Sequence, residues 1–207
     1  MLAVSGLMRS GTSPLAMMLH QMGVTMGSHL RFPTPGNEFA HFEWEDAALA
    51  DQLVQEIPVG KDKTRPGRVI REYVAARKRG AKGKPWGVKT PFLLPFVADL
   101  RAACDDIGEE CVLVVTKRHP QAARDSLRQQ MSHLSVFHSG GVRPRAFKIQ
   151  DALEKHWAAA ADGAEIFEID ETLGHPRKVA RRLAELAGIK IDADVAIRGL
   201  RGGASWA

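Results

Sequence analysis

The chain has 207 residues, of which 44% are hydrophobic and 26% charged, with a formal net charge of +5. That length fits one domain over 1–207 with a sizeable core, and the apolar share excludes a disordered chain. No apolar run is long enough to span a membrane, and the small positive surplus suggests anionic ligands but is too small to argue for nucleic-acid binding.

In chain order, Leu2-Ala-Val-Ser5 is a short buried strand. Beginning so near Met1, it leaves no room for a signal peptide. Gly6-Leu-Met-Arg-Ser-Gly-Thr-Ser13 follows, then a helix with Pro14 in its first turn. Residues 27–35 read as loop, Glu43–Gln55 as helix, and Arg68–Arg79 as a helix with Val69, Ile70, Tyr73 and Val74 inward. Trp86–Lys89 is a short strand, Pro91–Cys104 a helix, and Cys111–Thr116 a continuously apolar central strand. Helices over Gln121–Met131 and Phe147–Ala161, a strand over Ala164–Ile169 and a helix over Pro176–Ala187 complete the pattern. Strands alternating with helices predict a three-layer α/β fold of the P-loop NTPase type, its central parallel sheet flanked by helices. Cys104 and Cys111 are too few for a disulfide framework and read as buried thiols of a reducing, cytoplasmic setting.

The chemistry concentrates in two segments. Gly6–Ser13 has the spacing of a phosphate-binding loop: two glycines with four residues between them, then a hydroxyl residue. Its amides and the helix N-terminus behind it suit phosphate. Thr12 stands where a nucleotide triphosphatase carries lysine, and the basic side chain is Arg9 instead. Arg9, Ser10, Gly11, Thr12 and Ser13 are therefore the candidate phosphate-binding set. The second segment follows the central strand. Arg118 stands at the carboxyl edge of the sheet, where ligands of open parallel sheets bind, and Ser126 lies eight residues on. Together they can grip a second phosphate, each charge-assisted bond contributing roughly 1.5–3 kcal/mol. A triphosphatase more often ends such a strand in aspartate, to hold magnesium. The pair of segments reads as a site for a donor with an extra phosphate and no metal requirement.

At these residues the chain resembles the sulfotransferases that use 3′-phosphoadenosine 5′-phosphosulfate. Arg9-Ser-Gly-Thr-Ser13 is similar to their 5′-phosphosulfate loop, and Arg118-His-Pro with Ser126 to their 3′-phosphate site. Trp86–Pro91 resembles the lysine–proline segment before their central strand, and Phe167–Leu173 with Pro176 and Leu183–Gly188 their C-terminal strand and helix. The arginine loop is closest to bacterial carbohydrate-type and tyrosylprotein members. Arg198-Gly-Leu-Arg-Gly-Gly203 faintly resembles the segment that clamps the 3′-phosphate in some members, through Arg198 or Arg201.

The resemblance implies in-line sulfuryl transfer to a hydroxyl or amine of a small-molecule, carbohydrate or peptide acceptor. Arg9 stabilises the leaving phosphate, with Thr12, Ser13 and the loop amides. Lys89 reaches the transferring group or is a solvated strand-end lysine. Asn37–Asp46 offers Glu38, His41, Glu43, Glu45 and Asp46 as bases. The resemblance puts Glu43 first, with His41 and Glu38 behind it; Glu43, Glu45 and Asp46 also suit the first turn of a helix. The basic stretch Lys61–Lys84 either recruits an acidic acceptor such as a polysaccharide or is a solvated helix face. His133 and His138 have no acidic partner and suggest no metal site. Acceptor contacts are expected from loops 28–42, 60–85 and 132–146. The competing readings are a P-loop small-molecule or nucleotide kinase, lacking its loop lysine and magnesium carboxylate, and a non-catalytic P-loop-fold binding protein using 61–84.

Overall fold

In a computed structural model, strand β1 (Leu2–Gly6) is buried throughout and forms the middle of a parallel sheet. The structure describes residues 1–27, 30, 45–57, 64–134, 142–190 and 193–197, without the side chains of 131–134 and 142–144. β1 pairs on one side with β2 (Gly87–Lys89) and on the other with β3 (Val112–Lys117), which pairs with β4 (Glu165–Glu168). The order is β2-β1-β3-β4. Leu2 lies opposite both Gly87 and Val112, and Gly6 opposite Thr116. Successive strands run outward from β1 to β2, then back across to β3 and β4. The carboxyl ends of β1 and β3 therefore flank the switch point, where an open sheet leaves a crevice.

The period of two along the strands feeds two separate cores. Ala3, Val88, Leu113 and Val115 face one, where helices α2 (Ala47–Glu56), α3 (Arg65–Ala81), α4 (Val97–Asp105) and α6 (Val142–Ala161) bring Leu49, Leu53, Ile70, Val74, Leu100 and Leu153. Leu2, Val4 and Val114 face the other, with Leu15 and Met18 of α1 (Thr12–Gln21) and Val179 and Leu183 of α8 (Pro176–Leu186). Burying each leucine contributes about 1.5–3 kcal/mol. α5 (Pro120–Leu134), α7 (Ile169–Gly174) and α9 (Ala193–Ala196) complete the described helices. The expected three-layer α/β architecture is thus present. Among the described residues no helix is long and apolar enough to cross a membrane.

Four expectations need correction. The helix expected from Phe147 begins five residues earlier, at Val142. Pro91–Cys104 is two helices rather than one: a 3-10 turn over Pro91–Phe96, then α4. Pro95 lies inside the turn, and without an N–H it cannot join an α-helical ladder. The helix expected from Arg68 begins three residues earlier at Arg65, with Pro66 in its first turn. α2 begins at Ala47 rather than at Glu43, because Asp46 is its N-cap, Oδ1 accepting from Ala48 N–H at 3.1 Å.

The other carboxylate oxygen of Asp46 accepts from the Tyr73 hydroxyl at 2.9 Å. Burial, then the Asp46 charge, push the Tyr73 phenol far above the ordinary 10.0. A folded-state pKa raised in this way contributes stability below the unfolded pKa and loses it as pH climbs past 10.0. Tyr73→Phe is expected to cost about 1 kcal/mol at neutral pH and to flatten the loss of stability on the alkaline side. Denaturation midpoints across that range check this; parallel alkaline slopes for the two proteins would refute the coupling.

Candidate functional site

The first wall of the crevice is the turn from β1 into α1. Gly6 has φ 157 and faces Thr116 so closely that a Cβ would lie 2.0 Å from its Oγ1. Ser10, wholly buried, donates its hydroxyl to Leu7 O at 2.6 Å and shares a hydrogen bond of 2.5 Å with Thr116 Oγ1. The Ser10 side chain therefore braces the loop rather than facing outward. Gly11 precedes α1 at φ 96, and a Cβ there would meet Ile169 Cδ1 at 2.2 Å. No side chain caps α1 and no acidic residue occupies its first turn, which leaves its leading amides available to an anion. Thr12 is buried and Ser13 half-buried.

The second wall follows β3. Arg118 donates from Nη1 to Arg9 O at 2.9 Å, and Arg9 donates from Nε to Ser126 Oγ of α5 at 3.2 Å. The structure thus gathers Arg9, Arg118 and Ser126 into one cluster at the switch point. Arg9 is exposed and sits in the left-handed region at φ 66, unusual for a side chain with a Cβ. Lys117 turns away to pair with Glu168 of β4 at 2.6 Å.

On the far side of β1, Lys89 ends β2 at 4% exposure. It is buried, so the solvated-lysine alternative is set aside. Next to it, Thr90 accepts from Ser5 Oγ at its carbonyl (2.9 Å) and donates its hydroxyl to Glu45 Oε1 at 2.6 Å. Glu45 is buried to 5% exposure, so a carboxylate stands one residue from Lys89 at the carboxyl end of the sheet. Glu38, His41, Glu43, Arg198, Arg201 and His138 lie outside the described residues, as does the His133 side chain. Among the described residues no group of three or more His, Cys, Asp or Glu side chains could hold a metal ion.

Two residues of this region escaped the sequence reading. Thr116 carries the brace to Ser10, and its carbonyl accepts from Trp157 Nε1 at 3.1 Å. Its signal was a hydroxyl at the end of an otherwise apolar strand. Gln150 of α6 is wholly buried and accepts from Met8 N–H at 3.1 Å. Its signal was an amide three residues before Leu153 and seven before Trp157, on the stripe that a helix of this pattern buries.

No protein-family model matches the chain, and no curated protein sequence does. Solved structures do. The fold, an α/β chain whose described strands form a central parallel sheet of four between helical layers, is similar to that of solved sulfotransferases. A sulfotransferase from Mycobacterium avium superposes with a TM-score of 0.64 at 16% identity, covering 97% of this chain and 67% of its own. The sulfotransferase domain of the Synechococcus PCC 7002 olefin synthase gives 0.57 at 17%, covering 96% and 76%. The sulfotransferase domain from the curacin biosynthetic pathway gives 0.55 at 13%, covering 98% and 78%.

Proposed function

We propose that the chain is a sulfotransferase that takes a sulfuryl group from 3′-phosphoadenosine 5′-phosphosulfate to a hydroxyl or amine of a small-molecule, carbohydrate or peptide acceptor. The observation that carries the reading is the meeting of Arg9, Arg118 and Ser126 beside the uncapped N-terminus of α1. This is a cationic, donor-rich cradle suited to anionic groups. The bound donor would supply a sulfuryl group on a good phosphate leaving group.

In this proposal the α1 amides, Thr12 and Ser13 hold the 5′ end, and Arg118 with Ser126 holds the 3′-phosphate. Ser10 contributes by bracing the loop through Thr116 and Leu7. Arg9 releases Ser126 and turns its fork of donors to the charge that builds on the leaving oxygen. Lys89 acts from the opposite wall, its ammonium buried and so electrostatically strong. The acceptor's proton passes to a base. Glu43 leads by resemblance, ahead of His41 and Glu38, while the carboxylate of Glu45 is held by Thr90.

A kinase reading would ask β3 to end in a carboxylate for magnesium, whereas this strand ends Thr116-Lys117 and is followed by Arg118. Calorimetric titration with 3′-phosphoadenosine 5′-phosphate, with the analogue lacking the 3′-phosphate and with magnesium–ATP tests the choice. Binding that needs the 3′-phosphate and not magnesium is expected. Arg118→Ala should then erase most of the preference for the 3′-phosphate, a loss of roughly 1.5–3 kcal/mol. Preference for magnesium–ATP would return the chain to the kinase class.

A further inference from the structure

We propose that Gln150 is a positioning residue: it fixes the Leu7–Met8 peptide just upstream of Arg9 so that the Arg9 side chain is delivered into the cradle. The clamp stands on geometry alone; its consequence for turnover rests on the sulfotransferase reading. Arg9 holds φ 66, a conformation that non-glycine residues keep only where their surroundings over-determine it. Side chains from three elements do so. Gln150 of α6 accepts from Met8 N–H at 3.1 Å on the near side of Arg9. Arg118, after β3, donates to the Arg9 carbonyl at 2.9 Å on the far side. Ser10 closes the turn on Leu7 O at 2.6 Å. With the Leu7–Met8 peptide held upstream and the Arg9 carbonyl held downstream, the Arg9 side chain leaves the turn toward Ser126.

The state of Gln150 itself points the same way. Its side chain is wholly buried, and among the described residues Nε2 has no hydrogen-bond partner. Rotating the amide to satisfy Nε2 would take the oxygen from Met8, because a backbone N–H needs an acceptor. The fold thus tolerates a buried donor without a partner to keep that oxygen in place, and such exceptions call for a reason beyond packing. An apolar residue of similar volume would merely exchange one unmet donor, Nε2, for another, Met8 N–H. Stability alone therefore does not select glutamine here.

That exchange defines the test. Gln150→Met should leave the thermal midpoint nearly unchanged. It should accelerate amide hydrogen exchange at Met8 and Ser10 about tenfold or more, and weaken 3′-phosphoadenosine 5′-phosphate about tenfold. Gln150→Glu keeps an oxygen for Met8 and should restore both readouts toward the parent protein. Unchanged exchange and affinity in Gln150→Met would overturn the proposal. Equal losses in both variants, tracking the thermal midpoint, would do so as well, since packing would then be the whole role. Faster exchange in Gln150→Met, alongside a parent protein that binds no nucleotide, would support the clamp and reject the sulfotransferase reading.

Discussion

Arg9→Ala is expected to lower turnover by two orders of magnitude or more, the scale set by losing one oriented donor to a developing oxyanion. Arg9 is exposed, so little packing is lost with it, and the folded protein should keep most of its stability. The left-handed backbone complicates the alanine variant, because φ 66 is strained for any residue with a Cβ. Arg9→Gly removes the same charge and relieves that strain, so the two variants separate charge from conformation. Arg9→Lys keeps the charge and loses the fork, and should fall between them and the parent. The measurement is transfer of labelled sulfuryl, first to water and then to acceptors found by screening. Near-normal turnover in the glycine variant would remove Arg9 from the mechanism.

Gly6→Ala should be severely damaging for the addition of a single methyl group. The new carbon would meet Thr116 Oγ1 at 2.0 Å, Ser10 Oγ at 2.7 Å and the Thr116 carbonyl at 3.1 Å, at a φ of 157. The carbonyl belongs to β3, paired with β1 in the middle of the sheet, so the backbone cannot readily yield. Overpacking and backbone strain together should cost roughly 3 kcal/mol or more, a large part of a typical domain's stability of about 5–15 kcal/mol. The Ser10–Thr116 brace goes with it, so donor affinity should fall even in whatever fraction still folds. Thr116→Ala on top of Gly6→Ala removes the nearest clashing atom and should recover part of the thermal midpoint. A double variant no more stable than the single one would assign the loss to the backbone instead.

Much of the architecture was legible because it depends on local pattern. β1 and β3 are buried on both faces and so read as uninterrupted apolar runs, whereas a half-exposed strand would alternate. Pro14 and Pro176 lie in first turns, where a missing N–H does no harm. The helix breaks were less legible. Pro91 looked like an ordinary helix opener, yet Pro95 four residues on holds the segment in a 3-10 turn before α4 can start. At α2, Glu43, Glu45 and Asp46 are all acceptable near a helix start. Only the hydrogen bond from Ala48 N–H selects Asp46 as the cap. Glu45 was one carboxylate among four until burial and the bond from Thr90 distinguished it.

The sequence by itself determined the kind of loop at Gly6–Ser13. A tight strand-to-helix turn needs glycine at set positions, and the chain chose arginine over the usual lysine within that short span. It also marked Arg118 and Ser126, eight residues apart, as a local pair. Only the tertiary structure decided that these two segments form one site. Arg9 meets Arg118 and Ser126 across sequence separations of 109 and 117 residues, because β1 and β3 are neighbours in parallel register with Gly6 opposite Thr116. The same holds for Gln150, which reaches Met8 across 142 residues. Such contacts follow from how strands pair and which helix covers them. That outcome is set by the burial of whole faces, and no spacing within a single segment encodes it.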